Sequence, residues 1–444
     1  MTKIRIRGFK SIRQEQEMDI RPLTILAGAN SSGKSSMIQP LLLLKQTLEV
    51  PYDPGALWLN GPNVKFTSTK QFLPRPGNGD TVFSIGLTVI GDPRLPRPSV
   101  SPTDLTIVLS QEARGKKLDV KQMIYERDDQ RIALHTGMSP DEIEALIPSK
   151  RKEELEAFFP PAKLGRELAI IRNRCFLDVG YEGTNMSASH FIFDRRVSPS
   201  LIFGPFIQEI IHLPGLRGNP ERSYPVAAVG SMFPGTFETY AASVIAQWQE
   251  KKSDDKLKAL GENLKQLGLT WKVQARSVDE TQVELLVGRL PRAAYRGARD
   301  LVNIADVGFG VSQMLPVLVA LLEAKPGQLV YLEQPEIHLH PRAQTALARI
   351  LAAAALRGVR VVIETHSSLL LLGIQTLVAE GTGPDHLPPE MVKLHWFTRD
   401  EDGVTRITSA DLDATGAFGD WPEDFADVEL DAQGRYLDAA AAHE

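Results

Sequence analysis

Three short stretches of this chain combine residue types that do phosphate chemistry. Gly28-Ala29-Asn30-Ser31-Ser32-Gly33-Lys34-Ser35, with Ser36 behind it, carries the spacing G-x-x-x-x-G-K-S. Glycines let backbone N–H groups close around phosphate oxygens, Lys34 brings a positive charge to the β/γ-phosphates, and the Ser35 hydroxyl can ligate Mg²⁺. In Leu329-Val330-Tyr331-Leu332-Glu333, four apolar residues end in an acid. That is how a buried strand delivers a carboxylate to a metal ion. Glu364-Thr365-His366-Ser367 closes a further apolar run, which places His366 at the C-terminal end of a parallel strand, where ligands of open α/β sheets bind. Each stretch alone has an ordinary reading: a Gly/Ser turn with a surface lysine, an acid capping the next helix, a core histidine. Together they point to ATP with Mg²⁺. Lys34 and Ser35 would hold phosphate and metal, Glu333 would face the metal, and His366 would meet the γ-phosphate.

The elements that must hold these residues are legible around them. Leu23 to Ala27 reads as a buried strand feeding the glycine loop, and Ser36 to about Leu48 as a helix that Pro40 should kink. Ile4 and Ile6 alternate with Arg5 and Arg7, the pattern of a half-buried strand. Residues 51–135 are rich in Pro and Gly between β-like runs such as Thr81 to Ile90 and Leu105 to Leu109, an antiparallel lobe. Ser139-Pro140-Asp141-Glu142 has the form of a capping box opening a helix or helix pair that ends near residues 158–161. Residues 236–268 read as helical, and Trp271 to Ala275 with Gln282 to Leu290 as a hairpin. From Val311 the chain alternates helix and strand: Val311 to Ala324, Leu329 to Leu332, Arg342 to Leu356, Val359 to Ile363. That alternation implies a parallel sheet with helices on its faces. Both ends of the chain then belong to one α/β domain split by an insertion of roughly 250 residues, on the usual scale of such units.

Composition narrows the function classes. The 444 residues are 43% apolar and 24% charged, ordinary for a protein with a real core. The net charge of −5 excludes a uniformly basic nucleic-acid coat, yet it is unevenly spread. Residues 400–444 hold 13 acids and two arginines, so the other 399 residues carry a net +6, and the first 14 residues have five basic groups and no acid. A basic body with an acidic tail can still meet a polyanion. The single cysteine, Cys175, excludes an intrachain disulfide or a cysteine zinc cluster and reads as a small core residue. The start lacks the apolar stretch of a signal peptide, and the leucine runs at 41–44 and 369–372 are too short to span a bilayer, so the cytoplasm is the expected location.

The order of these motifs resembles the ABC-type ATPase heads of the SMC and OLD-like families. More closely it resembles prokaryotic ATPases of the AAA group without coiled-coil arms, found in anti-phage defence loci. The resemblance spans the chain. It rests on the glycine loop, on Asp306-Val-Gly-Phe-Gly-Val-Ser-Gln-Met-Leu-Pro316, on Glu333-Gln-Pro-Glu-Ile-His-Leu-His-Pro341 and on Glu364 to Ser367. His212-Leu-Pro-Gly-Leu-Arg217 with Arg222 and Tyr224, and the terminal Asp420 to Phe425, add to it. It implies an α/β ATPase head with a P-loop parallel sheet, an antiparallel β lobe and a mixed helical insertion. The segments would be 1–50 and 301–380 for the two halves of the head, 51–135 for the lobe, 136–300 for the insertion and 381–444 for a C-terminal subdomain with the acidic tail. It further implies ATP and Mg²⁺, and a homodimer or higher oligomer in which Gly308, Gly310, Ser312 and Gln313 form the signature loop that meets ATP on the opposite subunit. A separate effector subunit, a nuclease or toxin, is implied by the same resemblance, because no coiled-coil arms or appended nuclease are evident. DNA is a further partner class and a membrane is not.

The pattern departs from the resemblance at Gln334, where such heads carry the carboxylate that polarises the attacking water. Glutamine orients water but cannot take its proton, and general-base catalysis contributes about 10²–10⁴-fold. Either Glu336 takes that role or hydrolysis is slow; Glu336 also reads as a cap for the following helix. Glu336, His338 and His340 make only a weak metal set, better read as a turn. Arg217 and Arg222 are candidates for contact with phosphate or a partner, or members of an ordinary surface loop. Gln39, Gln46 and Gln71 are candidates for the Q-loop glutamine. Three functions are compatible with this pattern: an ATP-gated switch for an effector, a DNA-repair ATPase acting on DNA directly, and a non-hydrolysing ATP-bound scaffold.

Overall fold

The structure is a computed structural model that describes residues 1–74, 81–91, 102–111, 117–127, 130–147, 166–183, 198–289, 300–383, 386–419, 434–436 and 438–439. The helix end expected near residues 158–161, the Asp420–Phe425 motif and most of the acidic tail lie outside the described residues. In chain order, strands β1 (Lys3–Arg7), β2 (Gln16–Asp19) and β3 (Leu23–Gly28) precede helix α1 (Lys34–Glu49). Then come β4 (Thr81–Ile90), β5 (Pro102–Gln111), β6 (Asp119–Arg127), β7 (Gln130–His135), α2 (Pro140–Ala145), β8 (Arg166–Asn173), β9 (Phe176–Gly183) and α3 (Pro199–Gln208). The remainder runs β10 (Ile211–Leu213), β11 (Tyr224–Pro225), α4 (Ala241–Glu250), α5 (Asp254–Gln266), β12 (Val273–Ser277), β13 (Gln282–Gly288), β14 (Leu301–Asn303), α6 (Phe309–Glu323), β15 (Leu329–Glu333), α7 (Pro341–Leu356), β16 (Arg360–Glu364), α8 (Ser368–Ala379), β17 (Val392–Arg399) and β18 (Thr405–Ala410).

The chain divides into two compact units, Met1–Met18 with Ser35–Glu209, and Asp19–Lys34 with Ile210–Glu444. They partition the chain differently from the five expected segments. The first unit is built on an antiparallel sheet in the order β2-β1-β4-β5-β6-β7. Ile4 and Ile6 of β1 point inward while Arg5 reaches Asp104 of β5 at 3.1 Å. Phe9, Phe66, Phe72 and Phe83 pack into one aromatic cluster, with Phe9 stacked on Phe72 at 5.3 Å. The expected capping box is present: Ser139 and Glu142 bond reciprocally at the start of α2. Helix α1 runs without a break across Pro40. Cys175 is wholly buried, and burial pushes its thiol well above the ordinary range.

The second unit contains the sheet that matters for chemistry, in the order β10-β15-β16-β3-β17-β18. Neighbouring strands from β10 to β17 are parallel, and only β18 turns back antiparallel. Such strands are covered on both faces, which explains why β3 and β16 read as near-continuous apolar runs. Helices α6, α7 and α8 cover one face, with Leu318, Leu321, Leu347, Leu351 and Ile374 buried in one core with Ile25, Val361 and Ile363. A smaller antiparallel sheet, β11-β13-β12 with β14 beside β13, includes the hairpin expected around Asp279. Register is decisive: Glu333 of β15 lies beside Glu364 of β16, and Glu364 beside Leu26 of β3. The three strands therefore end together, and the loops that leave them share one edge. Among the described residues no helix is long and apolar enough to cross a membrane.

One core histidine gives this unit a pH-dependent stability. His395 on β17 is fully buried between Ser409 Oγ and the Asp19 carbonyl, both at 2.8 Å, and burial lowers its pKa from 6.5 to about 4. The unfolded chain then binds more protons between those values, so stability is full above pH 6.5 and falls as the pH drops toward 4. For that shift the loss is on the order of 3 kcal/mol. Thermal unfolding followed from pH 7.5 to 4.5 should show this loss in the wild type and a flatter profile in His395→Gln. Parallel profiles would remove His395 as the cause.

Candidate functional site

The glycine loop leaves β3 in a conformation only its glycines accept freely. Gly28 has φ +139° and Gly33 φ +110°. A Cβ on Gly28 would lie 2.3 Å from the Phe397 carbonyl oxygen of β17, and one on Gly33 2.3 Å from Thr405 Oγ1 of β18. Thr405 also donates its hydroxyl to the Ser32 carbonyl at 2.8 Å. The β17–β18 hairpin is thus the wall against which the loop is moulded. Ala29, Asn30 and Ser31 are exposed at its crest, with Ser31 itself at φ +62°. Lys34 folds back so that its ammonium donates to the Gly28 and Ala29 carbonyls at 3.0 and 2.8 Å. Burial lowers its pKa and the nearby Glu364 carboxylate opposes that shift. The buried Ser32 hydroxyl has no partner. Ser35 and Ser36 continue into the first turn of α1.

The acids come from the ends of β15 and β16. Glu333 receives a bond from the Gly215 N–H at 3.1 Å and meets His212 Nε2 at 3.2 Å. Burial works against its ionisation, but His212, that N–H and Arg217 outweigh it and hold the carboxyl below the ordinary range. Gln334 comes next, in the left-handed region at φ +42°, with its N–H on the Glu364 carbonyl at 2.8 Å. Glu336 is buried, and its Oε1 accepts both the Thr365 hydroxyl at 2.7 Å and the His366 N–H at 3.0 Å. Glu336 therefore ties the turn after β15 to the turn after β16. The cap of α7 is His340, whose imidazole faces the Arg342 N–H at 3.4 Å. The exposed imidazole of His366 has a pKa lowered by partial burial and by Lys34, which favours its neutral form at pH 7. Among the described residues no group of three or more His, Cys, Asp or Glu is arranged to hold a metal ion.

The structure adds residues whose role was not apparent from spacing. Strand β10, only Ile211–Leu213, lies beside the Glu333 strand, so His212 and the Pro214–Gly218 turn reach the edge where Glu333 stands. His212 is buried and stacks on Tyr331 at 5.4 Å, and Tyr331 in turn donates to Glu364. Arg217 is 6% exposed, which rules out a bland surface role. Its Nη2 donates to the Gln334 carbonyl at 3.4 Å, while Nε and Nη1 are buried without partners. Leaving donors of a charged group unpaired in the interior costs about 1–3 kcal/mol or more. The available signal was the short apolar run Ile210-Ile211 before Pro-Gly, too brief to score as a strand.

The expected signature residues lie at the start of α6. Gln313 is 4% exposed and donates to the Arg217 and Gly218 carbonyls at 2.9 and 3.1 Å, and Ser312 donates to the Phe309 carbonyl at 3.0 Å. Gly310 is packed near Leu269, while Gly308 and Phe309 are exposed. Arg222 pairs with Asp306 through both terminal guanidinium nitrogens, Nη1 and Nη2, the shorter contact at 2.7 Å. The three glutamines proposed for the Q-loop belong to the other unit. Gln39 accepts from Lys10 at 2.6 Å, Gln46 bonds the Asn63–Val64 backbone, and Gln71 closes a capping box. The donor set fits Mg-ATP: a cradle that a Cβ would fill, an unpartnered buried hydroxyl on Ser32, a lysine bonded only to carbonyls of its own loop, and an ionised carboxylate on the same sheet edge.

Residues 185–372 match the family model described as AAA domain, putative AbiEii toxin, Type IV TA system. Similar solved structures include the SMC head bound to the C-winged helix domain of ScpA, at 12% identity and a TM-score of 0.42, covering 93% of this chain and 98% of that one. The SMC head domain from Thermotoga maritima is 11% identical with a TM-score of 0.39, covering 92% and 97%. Curated proteins give no match.

The loop geometry makes Gly33 a sharp test. Gly33→Ala places a methyl on Thr405 and an L-residue at φ +110°, so nucleotide affinity in a binding titration should fall at least about tenfold. Thr405→Ala relieves only the clash, not the backbone, and the double variant should recover less than half of the lost binding energy. Full recovery would show that the clash alone shapes the loop.

Proposed function

We propose that this chain, whose residues 185–372 match an AAA domain, is an ATP-binding and slowly hydrolysing switch. It dimerises around ATP in the cytoplasm and controls a separate effector in anti-phage defence. The observation that carries this reading is the convergence of Lys34, Glu333, Glu336 and His366 on one edge of the parallel sheet. The matched family's description, AAA domain, putative AbiEii toxin, Type IV TA system, supports the ATPase part of this reading.

Each residue of the edge has its own task. Lys34 leaves the carbonyls of its own loop for the phosphates and neutralises their charge. Glu333, held ionised by His212 and the Gly215 N–H, supplies the metal-side carboxylate with Ser35. Mg²⁺ held by Ser35 and Glu333 would supply Lewis-acid polarisation of the γ-phosphoryl group. His366, neutral at pH 7, donates a hydrogen bond to the γ-phosphate and so reads whether it is there. Gln334 orients the water without accepting its proton, which keeps turnover low. Glu336 acts through its bonds to Thr365 and His366, as the group that holds the switch histidine in place. Gly308 and Phe309, exposed at the start of α6, are the part of the signature segment offered to a second subunit. The strained backbone and missing base at Gln334 also favour a scaffold that holds ATP without turnover; a measured zero rate with tight ATP binding would select it.

Lys34→Ala and Glu333→Gln should each reduce Mg-ATP-dependent turnover by about 10²-fold or more. Unchanged binding and turnover in both would remove the site. Light scattering with saturating Mg-ATP should report at least a dimer, and a strictly monomeric mass would remove the dimer. Wild-type turnover below about 1 s⁻¹ is expected, rising in Gln334→Glu. Glu336→Gln keeps the acceptor for Thr365 and His366 and should retain most turnover, whereas Glu336→Ala should lose it. Loss in both would make Glu336 the base.

A further inference from the structure

Arg217 is a charged side chain without the partners its charge requires. A guanidinium stays protonated in proteins and offers five N–H donors in a fixed fork. Here a single long bond, Nη2 to the Gln334 carbonyl at 3.4 Å, is made, and the buried Nε and Nη1 have none. Glu238, Glu333 and Glu336 lie close enough to act on its charge, yet none closes to ion-pair distance. Glu336 Oε2 and Glu238 Oε2 are likewise buried and unpartnered. The Arg217 head is thus held beside the acids rather than neutralised by them.

The backbone that carries Arg217 is firmly placed. The Gly215 N–H sits on Glu333 Oε2 at 3.1 Å, and the Arg217 and Gly218 carbonyls are gripped by Gln313. These bonds hold the loop through its backbone and do not involve the Arg217 side chain. An oxyanion is the group that satisfies a guanidinium fork in parallel bonds. The sheet edge it faces is the one where Lys34 and Glu333 stand.

We propose that Arg217, in addition to His366, distinguishes a nucleoside triphosphate from a diphosphate, by turning its Nε and Nη edge onto the terminal phosphoryl oxygens. This inference rests on the nucleotide reading of the site. Lys34 serves both nucleotides through the loop, whereas Arg217 serves only the one with a third phosphoryl group. No bond is made or broken in this step. The guanidinium exchanges the Gln334 carbonyl and its neighbouring carboxylates for phosphate oxygens. Because the same loop grips Glu333 and Gln313, occupancy by the triphosphate is felt at the metal-side acid and at the start of α6 together.

The test is equilibrium binding of ATP and of ADP, each with Mg²⁺, to the full chain and to Arg217→Gln, Arg217→Lys and Lys34→Ala. Arg217→Gln should lower ATP affinity about 10- to 100-fold while ADP affinity stays within about twofold. Arg217→Lys keeps the charge but not the fork, and should lose about 3- to 10-fold for ATP only. It also serves as the readout if the glutamine variant does not fold. Lys34→Ala should weaken both nucleotides. ADP with added inorganic phosphate should not reproduce the ATP affinity, since the contact is to a covalently held phosphoryl. An unchanged ATP-to-ADP ratio in a folded Arg217 variant, or equal losses for both nucleotides, overturns the proposal. Failure of the wild type to bind either nucleotide overturns the nucleotide reading itself, and this inference with it.

Discussion

The constraint on which the second unit depends is the concentration of charge at one edge of a buried parallel sheet. Register brings Glu333, Glu364 and the end of β3 level with one another. Lys34 folds back over its loop, Arg217 is packed against the Gln334 carbonyl, and Glu336 is sunk beneath His366. Buried charges are costly unless paired or hydrogen-bonded. The fold meets that cost with hydrogen-bonding partners: the Gly215 N–H, the Thr365 hydroxyl, Tyr331 and His212. At this edge Arg217 Nε and Nη1, the Ser32 hydroxyl and Glu336 Oε2 remain unmet. Unsatisfied buried groups gather where a ligand is expected, which is where a structure tolerates them.

A second theme is how little of the edge is free to move independently. Glu336 joins the turns after β15 and β16 through two bonds on one oxygen. Gln334 adds a third tie through Glu364 and accepts a left-handed backbone to do so. The Pro214–Gly218 turn connects Glu333 to Gln313 in α6. The acid, the histidine and the start of α6 therefore form one mechanical assembly.

The β17–β18 hairpin shows how remote sequence enters the loop chemistry. Phe397 and Thr405 are some 370 residues from the glycines they press on, yet they decide which residue types the loop can hold. The buried His395 secures the same strand to the chain just before β3. Thr405 bonds the Ser32 carbonyl, so this hairpin touches the glycine loop directly.

The local elements were legible in the sequence. The strand–loop–helix around Gly28 to Lys34, the apolar runs ending in Glu333 and Glu364, the capping box at Ser139 and the hairpin at Asp279 all arise from periodicity and turn chemistry. These depend on interactions within a few residues, and such interactions are written in sequence order. The tertiary structure alone decided three things: that Ile211–Leu213 is a sheet strand, that Arg217 is buried beside the acids rather than exposed, and that Glu336 binds the histidine turn instead of capping α7. A three-residue strand has too few positions to show a period, and its existence depends on the open edge of β15. The burial of a charged side chain is likewise set by partners brought in from other strands, so its energy appears only when the sheet has assembled.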